Sequence, residues 1–334
     1  MIKNTVNIVE PYDFPFAMPI FHARDLLPSI ERIPDCSSFP KTAVLTCDIE
    51  QDHGGRVGSY ELLETPAFLT SYLDWCKSKD VPVSAFVVTS LLGQYPILRL
   101  LQEKQIDTHA HSHFHVMPTY YQHTREEILQ SQEVFRTFFG HSSLGYRAPQ
   151  GIVMPGDDDT LTQAGFSFDA SLFPARRFHL FDYRALPRTP WLWKSGVWEI
   201  PSGTAGRWMM SITYLKILGQ RFWSRLLNDD DLPRILVIDS HLHDFFPVAT
   251  RRTLPLPMRL LYRRNSEGGF ALLSWLMERL REKGYVFTDM STLFRRLTAS
   301  FSFEKEQALV VSEAEPFLPA DATAAGNGRS VSDL

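Results

Sequence analysis

The chain has 334 residues, of which 44% are hydrophobic, so it is long enough for one large domain or two small ones and is not disordered throughout. Its formal net charge is −4 and its isoelectric point about 6.3, values that predict no nucleic-acid partner. The three cysteines, Cys36, Cys47 and Cys76, show no Cys-x-x-Cys spacing and leave one thiol unpaired in any disulfide scheme, which favours a reducing compartment.

Strand-like and helix-like segments alternate along most of the chain. Short β-rich apolar runs predict strands, in chain order, at 42–49, 81–88, 144–147, 167–170, 197–200, 235–239 and 285–288, and a further short strand leads into a loop within 107–115. Helical patterns lie at 65–79, 95–104, 124–139 and 269–283. The third helix is predicted to begin with a capping box of Thr124 and Glu127. The alternation predicts an α/β domain with a mostly parallel sheet.

Composition divides the chain into three parts. Residues 1–40, rich in proline and aromatic side chains, are predicted to form an N-terminal arm, residues 41–299 the domain, and residues 300–334 a tail that is disordered at its end. The first residues lack the pattern of a secretory leader, and no apolar run approaches ~18 residues, so we expect a cytoplasmic protein.

Two basic segments, 207–227 and 251–264, combine arginines with aromatic and apolar side chains. This composition is typical of a segment that binds a membrane surface, here the inner membrane face. It is also typical of barrel helices whose arginines cover the core-facing side. Peripheral membrane contact is therefore a hypothesis, and the sequence predicts no particular oligomeric state.

The segment Asp107–His115 holds four imidazoles. Neutral imidazole is the commonest protein ligand for Zn²⁺ and related metals. His111 and His115 are four residues apart, the spacing of ligands on one face of a helical turn. A catalytic zinc site usually has three protein ligands and an open position for water, so an anionic third ligand is expected from another strand end.

The predicted strand 42–49 delivers three acids at its C-terminal end, namely Asp48, Glu50 and Asp52. One carboxylate of this group can bind the metal, and another can take a proton from metal-bound water.

These residues resemble the first motif of the polysaccharide deacetylase family, the metal-dependent carbohydrate esterases of family 4. In that family a strand ends in an aspartate base followed by an acidic metal ligand, matched here by Leu45–Glu50. The commonest family form has adjacent aspartates and then glycine, whereas the Asp-x-Glu of this chain is similar to a variant branch. The resemblance implies that Asp48 is the base and Glu50 the ligand, with Asp52 as the alternative ligand.

Two further motifs follow in family order. The family's second motif, His-Ser/Thr-x-x-His, is matched by His111–His115 and implies that its first and last imidazoles bind the metal. The third, Arg-x-Pro, lies within Gly145–Gly151. By resemblance Arg147 orients Asp48, and the backbone N–H of Gln150 helps to hold the oxyanion.

The last two matches lie further along the chain. Gly165–Pro174 resembles a block whose aspartate, here Asp169, supports the side of the site that holds the catalytic acid. Ile235–Asp244 resembles the closing strand, which implies that His241 is the acid, with His243 as the alternative.

Together the five matches imply a distorted (β/α) barrel with about seven parallel strands and one divalent metal. Zn²⁺ is the first choice, and Co²⁺, Ni²⁺, Mn²⁺ or Fe²⁺ also suit two imidazoles and a carboxylate. The implied reaction removes an N-acetyl or similar small N-acyl group from an amino sugar in a glycan or glycoconjugate. Metal-bound water attacks the amide, with Asp48 as base and His241 as acid.

Two alternatives stay open. Asp107–His111 also resembles the Asp-x-His-x-His entry of amidohydrolase-type barrels, although at least two strands precede it here and Arg147 has no place in that scheme. A non-catalytic glycan-binding domain of the same fold would lack the base or a metal ligand, and this chain keeps candidates for each.

Overall fold

The computed structural model describes most of the chain, namely residues 21–54, 58–116, 121–177, 180–228, 231–265 and 267–313. The side chains of residues 121, 122 and 302–313 lie outside this description. The first part of the predicted arm (1–20) and the predicted disordered end of the tail (320–334) also lie outside the described residues.

The described residues form fifteen strands. In chain order they are β1 (Phe21–His22), β2 (Ile30–Arg32), β3 (Thr42–Ile49), β4 (Val83–Val87), β5 (Asp107–Ala110), β6 (Gly145–Tyr146), β7 (Phe168–Asp169), β8 (Arg176–Arg177), β9 (Phe181–Asp182), β10 (Trp191–Trp193), β11 (Trp198–Glu199), β12 (Thr204–Ala205), β13 (Trp208–Met209), β14 (Ile235–Ile238) and β15 (Val286–Thr288).

Ten of these strands form one mixed sheet in the order β14-β3-β4-β5-β6-β7-β11-β10-β2, with β15 also pairing with β3. The pairs from β14 to β11 are parallel, whereas β10 and β2 add antiparallel pairs at one edge. Every residue of β3, β4 and β14 is buried, as expected for parallel strands covered on both faces. The sheet curls into a half-barrel, which confirms the predicted α/β fold class.

Helices cover the sheet. In chain order they are α1 (Ala23–Leu26), α2 (Glu61–Glu64), α3 (Pro66–Ser78), α4 (Arg99–Glu103), α5 (Tyr121–Phe139), α6 (Asp157–Ala164), α7 (Ile212–Leu218), α8 (Gln220–Leu227), α9 (Leu242–Phe245), α10 (Leu256–Arg263), α11 (Gly269–Glu282) and α12 (Met290–Glu313). The apolar faces of α3 and α11 are buried in the core. No helix in the described part of the chain is both long and apolar enough to span a membrane.

The predicted capping box at Thr124 is wrong. Helix α5 already contains Tyr121, so Thr124 lies inside the helix and not at its N-cap. The carboxylate of Glu127 instead accepts backbone N–H groups of the loop that follows β5. The predicted helix 95–104 is also shorter, with a single 3₁₀ turn, Pro96–Leu98, ahead of α4.

The described residues up to Phe294 form one compact unit, and those from Arg295 form a second one. Helix α12 supplies residues to both units. The predicted domain limits at 41 and 299 stay a prediction.

Candidate metal and catalytic site

Polar side chains converge where neighbouring parallel strands end. Asp48 and Asp169 lie at the ends of β3 and β7, and His111, Arg147 and Asp239 directly follow β5, β6 and β14. The carboxyl ends of parallel strands meet at one edge of a sheet, so residues far apart in sequence come together. The site therefore depends on the fold rather than on any single segment.

Glu50, His111 and His115 form a compact group of potential metal ligands. The Oε2 atom of Glu50 lies 2.7 Å from Nε2 of His115 and 3.4 Å from Nε2 of His111. One donor atom from each residue lies within 4.8 Å of the others, and all three residues are buried. Two donors that each lie ~2.1 Å from a tetrahedral metal are about 3.4 Å apart, so the spacing suits such an ion.

The orientation of His111 and the ionised carboxylate of Glu50 also suit a metal. The Nδ1–H of His111 donates to the backbone carbonyl of Arg147 at 2.9 Å, which leaves the lone pair on Nε2, the atom that faces Glu50. Burial raises the pKa of Glu50, but the imidazoles of His115 and His111 outweigh it and hold the pKa well below its usual value. A carboxylate and two imidazoles are the donors that Zn²⁺ and similar ions take.

The loop that carries the two imidazoles is not a helical turn, so that part of the prediction is wrong. Ser112 and His115 have φ values of 56° and 62°, and Ser112 Oγ accepts the backbone N–H of His115 at 3.0 Å. From α5, the carboxylate of Glu127 accepts the backbone N–H groups of His113 and Phe114 at 3.0 and 2.7 Å. These hydrogen bonds fix a loop that the i, i+4 spacing alone does not explain.

Strained backbone conformations, with positive φ values at non-glycine residues, are concentrated around this site. Seven non-glycine residues of the described chain have a positive φ, and four of them, His53, Ser112, His115 and Gln150, belong to the site or its loops. Such conformations cost energy and persist where the surrounding structure enforces them, commonly at functional sites. Gln150 lines the site cavity from a turn, Pro149–Gly151, in which its φ is 58°.

Asp48 lies beside the potential ligands, and Arg147 holds it there. Its Oδ1 accepts from Nη1 of Arg147 at 2.5 Å. Its Oδ2 lies 3.6 Å from Nε2 of His111 and 3.9 Å from Nε2 of His241. Arg147 thus leaves one carboxylate oxygen facing the imidazoles, where a general base would act.

His241 faces the same space from the end of β14. Its Nε2 lies 3.5 Å from Oε1 of Glu50, and its Nδ1 faces Oδ2 of Asp244 at 3.7 Å and Oδ2 of Asp239 at 3.9 Å. Burial lowers the pKa of His241, but the two aspartates outweigh it and raise the pKa well above its usual value. A protonated imidazole suits a general acid.

The alternative acid, His243, lies behind His241. Its ring stacks on that of His241 at 4.8 Å between centroids, and His53 lies at 4.8 Å from its ring. Burial lowers the pKa of His243 well below its usual value. Of the two predicted candidates, His241 is the one whose Nε2 faces Asp48 and Glu50.

Asp169, which is predicted to support the side of the site that holds the catalytic acid, lies beside Arg147. Its carboxylate accepts a short hydrogen bond from Ser171 Oγ and neighbours Glu199 and Arg147. Burial raises its pKa to about 6. The carboxylates that face Nδ1 of His241 are instead the two aspartates that flank it in sequence.

The sequence interpretation placed none of Asp239, Asp244, Glu199 and Glu127 in the site, and it assigned Glu127 to a helix cap. Asp239 comes at the end of an apolar strand, as Asp48 does, and this position in the sequence could have identified it as a site residue. Asp244 follows His241 by three residues and accepts its backbone N–H at 3.0 Å, which is a capping-box spacing. Glu127 and Glu199 act through long-range contacts that have no local sequence signal.

The motif that suggested an amidohydrolase is divided between the core and the site. The Asp107 carboxylate accepts from the hydroxyls of Ser84 and Ser291 at 2.7 and 2.6 Å and lies 3.0 Å from Nε2 of His109. Only His111 of this motif lines the site cavity. The geometry therefore gives Asp107 and His109 a structural role.

Asp52, the alternative ligand, is turned away from the imidazoles. Its carboxylate accepts from the backbone N–H groups of Glu61 and Leu62, at 2.9 and 3.3 Å, and from Ser59 Oγ at 3.0 Å. It therefore caps α2.

We expect Asp52→Ala to lower the free energy of unfolding by about 1–2 kcal/mol, because it removes the acceptor of two backbone N–H groups. The variant should keep its metal. Urea unfolding together with elemental analysis checks both statements, with the exposed Asp74→Ala as a control. Metal loss in Asp52→Ala, with metal retained in Glu50→Ala, would reverse the assignment of the ligand.

The site opens into a cavity of about 230 Å³. Its wall contains the polar residues described above. The wall also contains apolar and aromatic side chains, namely Phe173, Met209, Ile217, Met258, Leu261 and Tyr262. An apolar part of a ligand can therefore be accommodated in the same cavity as the polar residues.

Comparisons with known proteins agree with this geometry. Residues 40–168 match the sequence model of a family described as polysaccharide deacetylase. The match includes Asp48, Glu50 and both predicted imidazole ligands and ends before His241. A search of curated proteins found no match to the chain.

Several solved structures share the fold. A protein from Mycobacterium smegmatis described as a polysaccharide deacetylase is 14% identical, with 81% of this chain and 94% of that one covered and a TM-score of 0.50. One from Pseudomonas aeruginosa PAO1 with the same description is 13% identical, with coverages of 77% and 90% and a TM-score of 0.52. The Puue allantoinase is 15% identical, with coverages of 78% and 91% and a TM-score of 0.53. At these identities the likeness shows the fold.

Proposed function

The match over residues 40–168 places the chain in the polysaccharide deacetylase family, and on that premise we propose that it is a metal-dependent carbohydrate N-deacetylase. It would remove an N-acetyl or similar small N-acyl group from an amino sugar in a glycan or glycoconjugate. The observation that carries the proposal is the meeting of Glu50, His111 and His115 beside Asp48, with His241 facing the same space.

Glu50 and the two imidazoles would hold the ion, for which Zn²⁺ is our first choice. A divalent metal bound there would lower the pKa of a water molecule and polarise the amide carbonyl. The buried, hydrogen-bonded setting of the ligands keeps them oriented without the metal.

Asp48 and His241 would each carry out one proton transfer. Asp48, held at one oxygen by Arg147, takes a proton from the attacking water through its second oxygen. His241, which the neighbouring aspartates keep protonated, gives a proton to the departing amine nitrogen. Gln150 would contribute its backbone N–H to the oxyanion from the strained turn on the cavity wall.

Metal content and acyl release test the proposal together. We expect about one transition metal per chain in the wild type and its loss in Glu50→Ala and His115→Ala, because each variant removes one of three ligands. The wild type should release acetate from N-acetylated amino sugars, and both variants should lose that activity. The exposed His141→Ala is the control and should keep metal and activity.

Two results would overturn the proposal. A metal that survives both substitutions would contradict the ligand set. A chain that holds its metal but releases no acyl group from N-acetylated or N-formylated amino sugars, monomeric or oligomeric, would contradict the reaction and favour a non-catalytic glycan-binding domain.

A further inference from the structure

Helix α10 presents apolar side chains to solvent. Nine large hydrophobic residues of the described chain are exposed. Three of them lie within the eight residues of α10, namely Leu256, Leu260 and Leu261, which are 57%, 58% and 45% exposed. No residue of α10 is buried. A helix that served only the core would turn such leucines inwards, so this face is free to bind something else.

The same segment is strongly basic. Residues 249–264 contain five arginines and no acidic residue, although the whole chain has a net charge of −4. Within the described part of the chain, none of the five forms an ion pair with a carboxylate. The five are Arg251, Arg252, Arg259, Arg263 and Arg264. We call these arginines and the three exposed leucines the α10 surface, and it is complementary to an anionic partner.

The other basic segment, 207–227, has a different character. Trp223 and Leu227 of α8 are buried, and the buried Nζ of Lys216 donates to the backbone carbonyl of Asp244 at 2.7 Å. Much of this segment therefore belongs to the core. The hypothesis of membrane contact rests on the α10 surface.

The α10 surface adjoins the catalytic site. Met258, Leu261 and Tyr262 line the site cavity, while Leu256 and Leu260 of the same helix face solvent. Tyr262 also packs edge-on against His53, at 5.4 Å between centroids. Whatever binds the exposed face therefore lies next to the cavity that holds the reacting groups.

We propose that the α10 surface docks on an anionic phospholipid membrane, and that the site acts on an amino sugar carried by a lipid in that membrane. The action on a lipid-carried sugar rests on the proposed function, whereas the membrane docking does not. Leucines of an amphipathic helix insert at the boundary between headgroups and acyl chains, and arginines bind lipid phosphates. A protein partner is less well suited, because a standard interface takes about 20–30 residues from each side, more than the segment 249–264 contains.

Vesicle co-sedimentation of the full chain tests the docking without any need for turnover. We expect binding to vesicles of phosphatidylcholine mixed with phosphatidylglycerol and none to phosphatidylcholine alone, with binding weakened by added salt. Leu256→Glu combined with Leu260→Glu should weaken binding at least about tenfold, because charges replace the inserted leucines. Ile33→Glu changes a leucine-sized side chain that is 53% exposed just after β2, outside the α10 surface, and should leave binding unchanged.

The outcomes separate this proposal from the proposed function. No binding of the wild type to anionic vesicles, or equal binding of all variants, would overturn the docking. Concentration-dependent dimerisation that the double variant abolishes would assign the α10 surface to a second copy of the chain instead. The double variant changes no cavity-lining residue, so its acetate release from a soluble N-acetylated sugar should match the wild type. Vesicle binding without any acyl release would leave the docking in place and contradict the proposed function.

Discussion

Replacing Asp48 by asparagine is expected to lower kcat by about 10²–10⁴-fold while the protein keeps its metal, because the change removes a general base and no ligand. Asparagine has nearly the same shape, and its Oδ1 can still accept the hydrogen bond that Arg147 donates at 2.5 Å. The folded structure should therefore persist. Acyl release and elemental analysis on the same protein sample measure both effects.

The opposite result is equally informative. Oδ2 of Asp48 lies 3.6 Å from Nε2 of His111, close enough that a shift of the side chain could bring it to a metal. Loss of the metal from Asp48→Asn would make Asp48 a ligand and would leave the role of base to another group. The control is Glu50→Gln, which is similarly conservative and should lose the metal, because a neutral amide is a poor substitute for the carboxylate ligand.

The sequence predicted those features that local patterns encode. Strand β3 was bounded correctly at 42–49, and the alternation of strands and helices predicted the α/β fold. The acids at the end of β3 stand out in the sequence because they end an apolar strand, and the imidazoles after β5 because four of them lie in one short segment. Their common location at one sheet edge followed from parallel pairing.

Features that depend on three-dimensional contacts could not be predicted in this way. The i, i+4 spacing of His111 and His115 suggested a helical turn, yet the loop is held by Glu127 from α5, a residue that the sequence pattern assigned to a helix cap. The partners of His241 were similarly missed. Asp169 was assigned to its side of the site by resemblance, but Nδ1 faces Asp244 and Asp239, and only the folded chain shows which carboxylate lies closer.

Arg147→Met is expected to lower the free energy of unfolding by about 3–5 kcal/mol and to reduce activity strongly, because it leaves buried carboxylates without their cation. Arg147 is 1% exposed and donates to Asp48 Oδ1, to Thr46 Oγ1 at 3.0 Å and to the backbone carbonyl of Ala170 at 3.0 Å. Its Nη1 also lies 3.5 Å from Oδ1 of Asp239. Arg184→Met, which removes an exposed ion pair with one aspartate, is the control and should cost less than about 1 kcal/mol.

The cost of Arg147→Met should depend on pH. Burial raises the pKa of Asp169 and of Asp239 to about 6, and the charge of Arg147 holds both values lower than they would otherwise be. The usual pKa of aspartate in an unfolded chain is about 3.9, so these two groups destabilise the folded protein increasingly as the pH rises from about 4 through 6.

Removing Arg147 raises both folded-state pKa values further, which enlarges that penalty at pH 8. At pH 5 the two carboxyls are largely protonated with or without the arginine. Urea unfolding of wild type and variant should therefore differ more at pH 8 than at pH 5. An equal difference at both would mean that Arg147 stabilises the fold through contacts that do not depend on the charge of Asp169 and Asp239, such as its hydrogen bonds to Thr46 and Ala170.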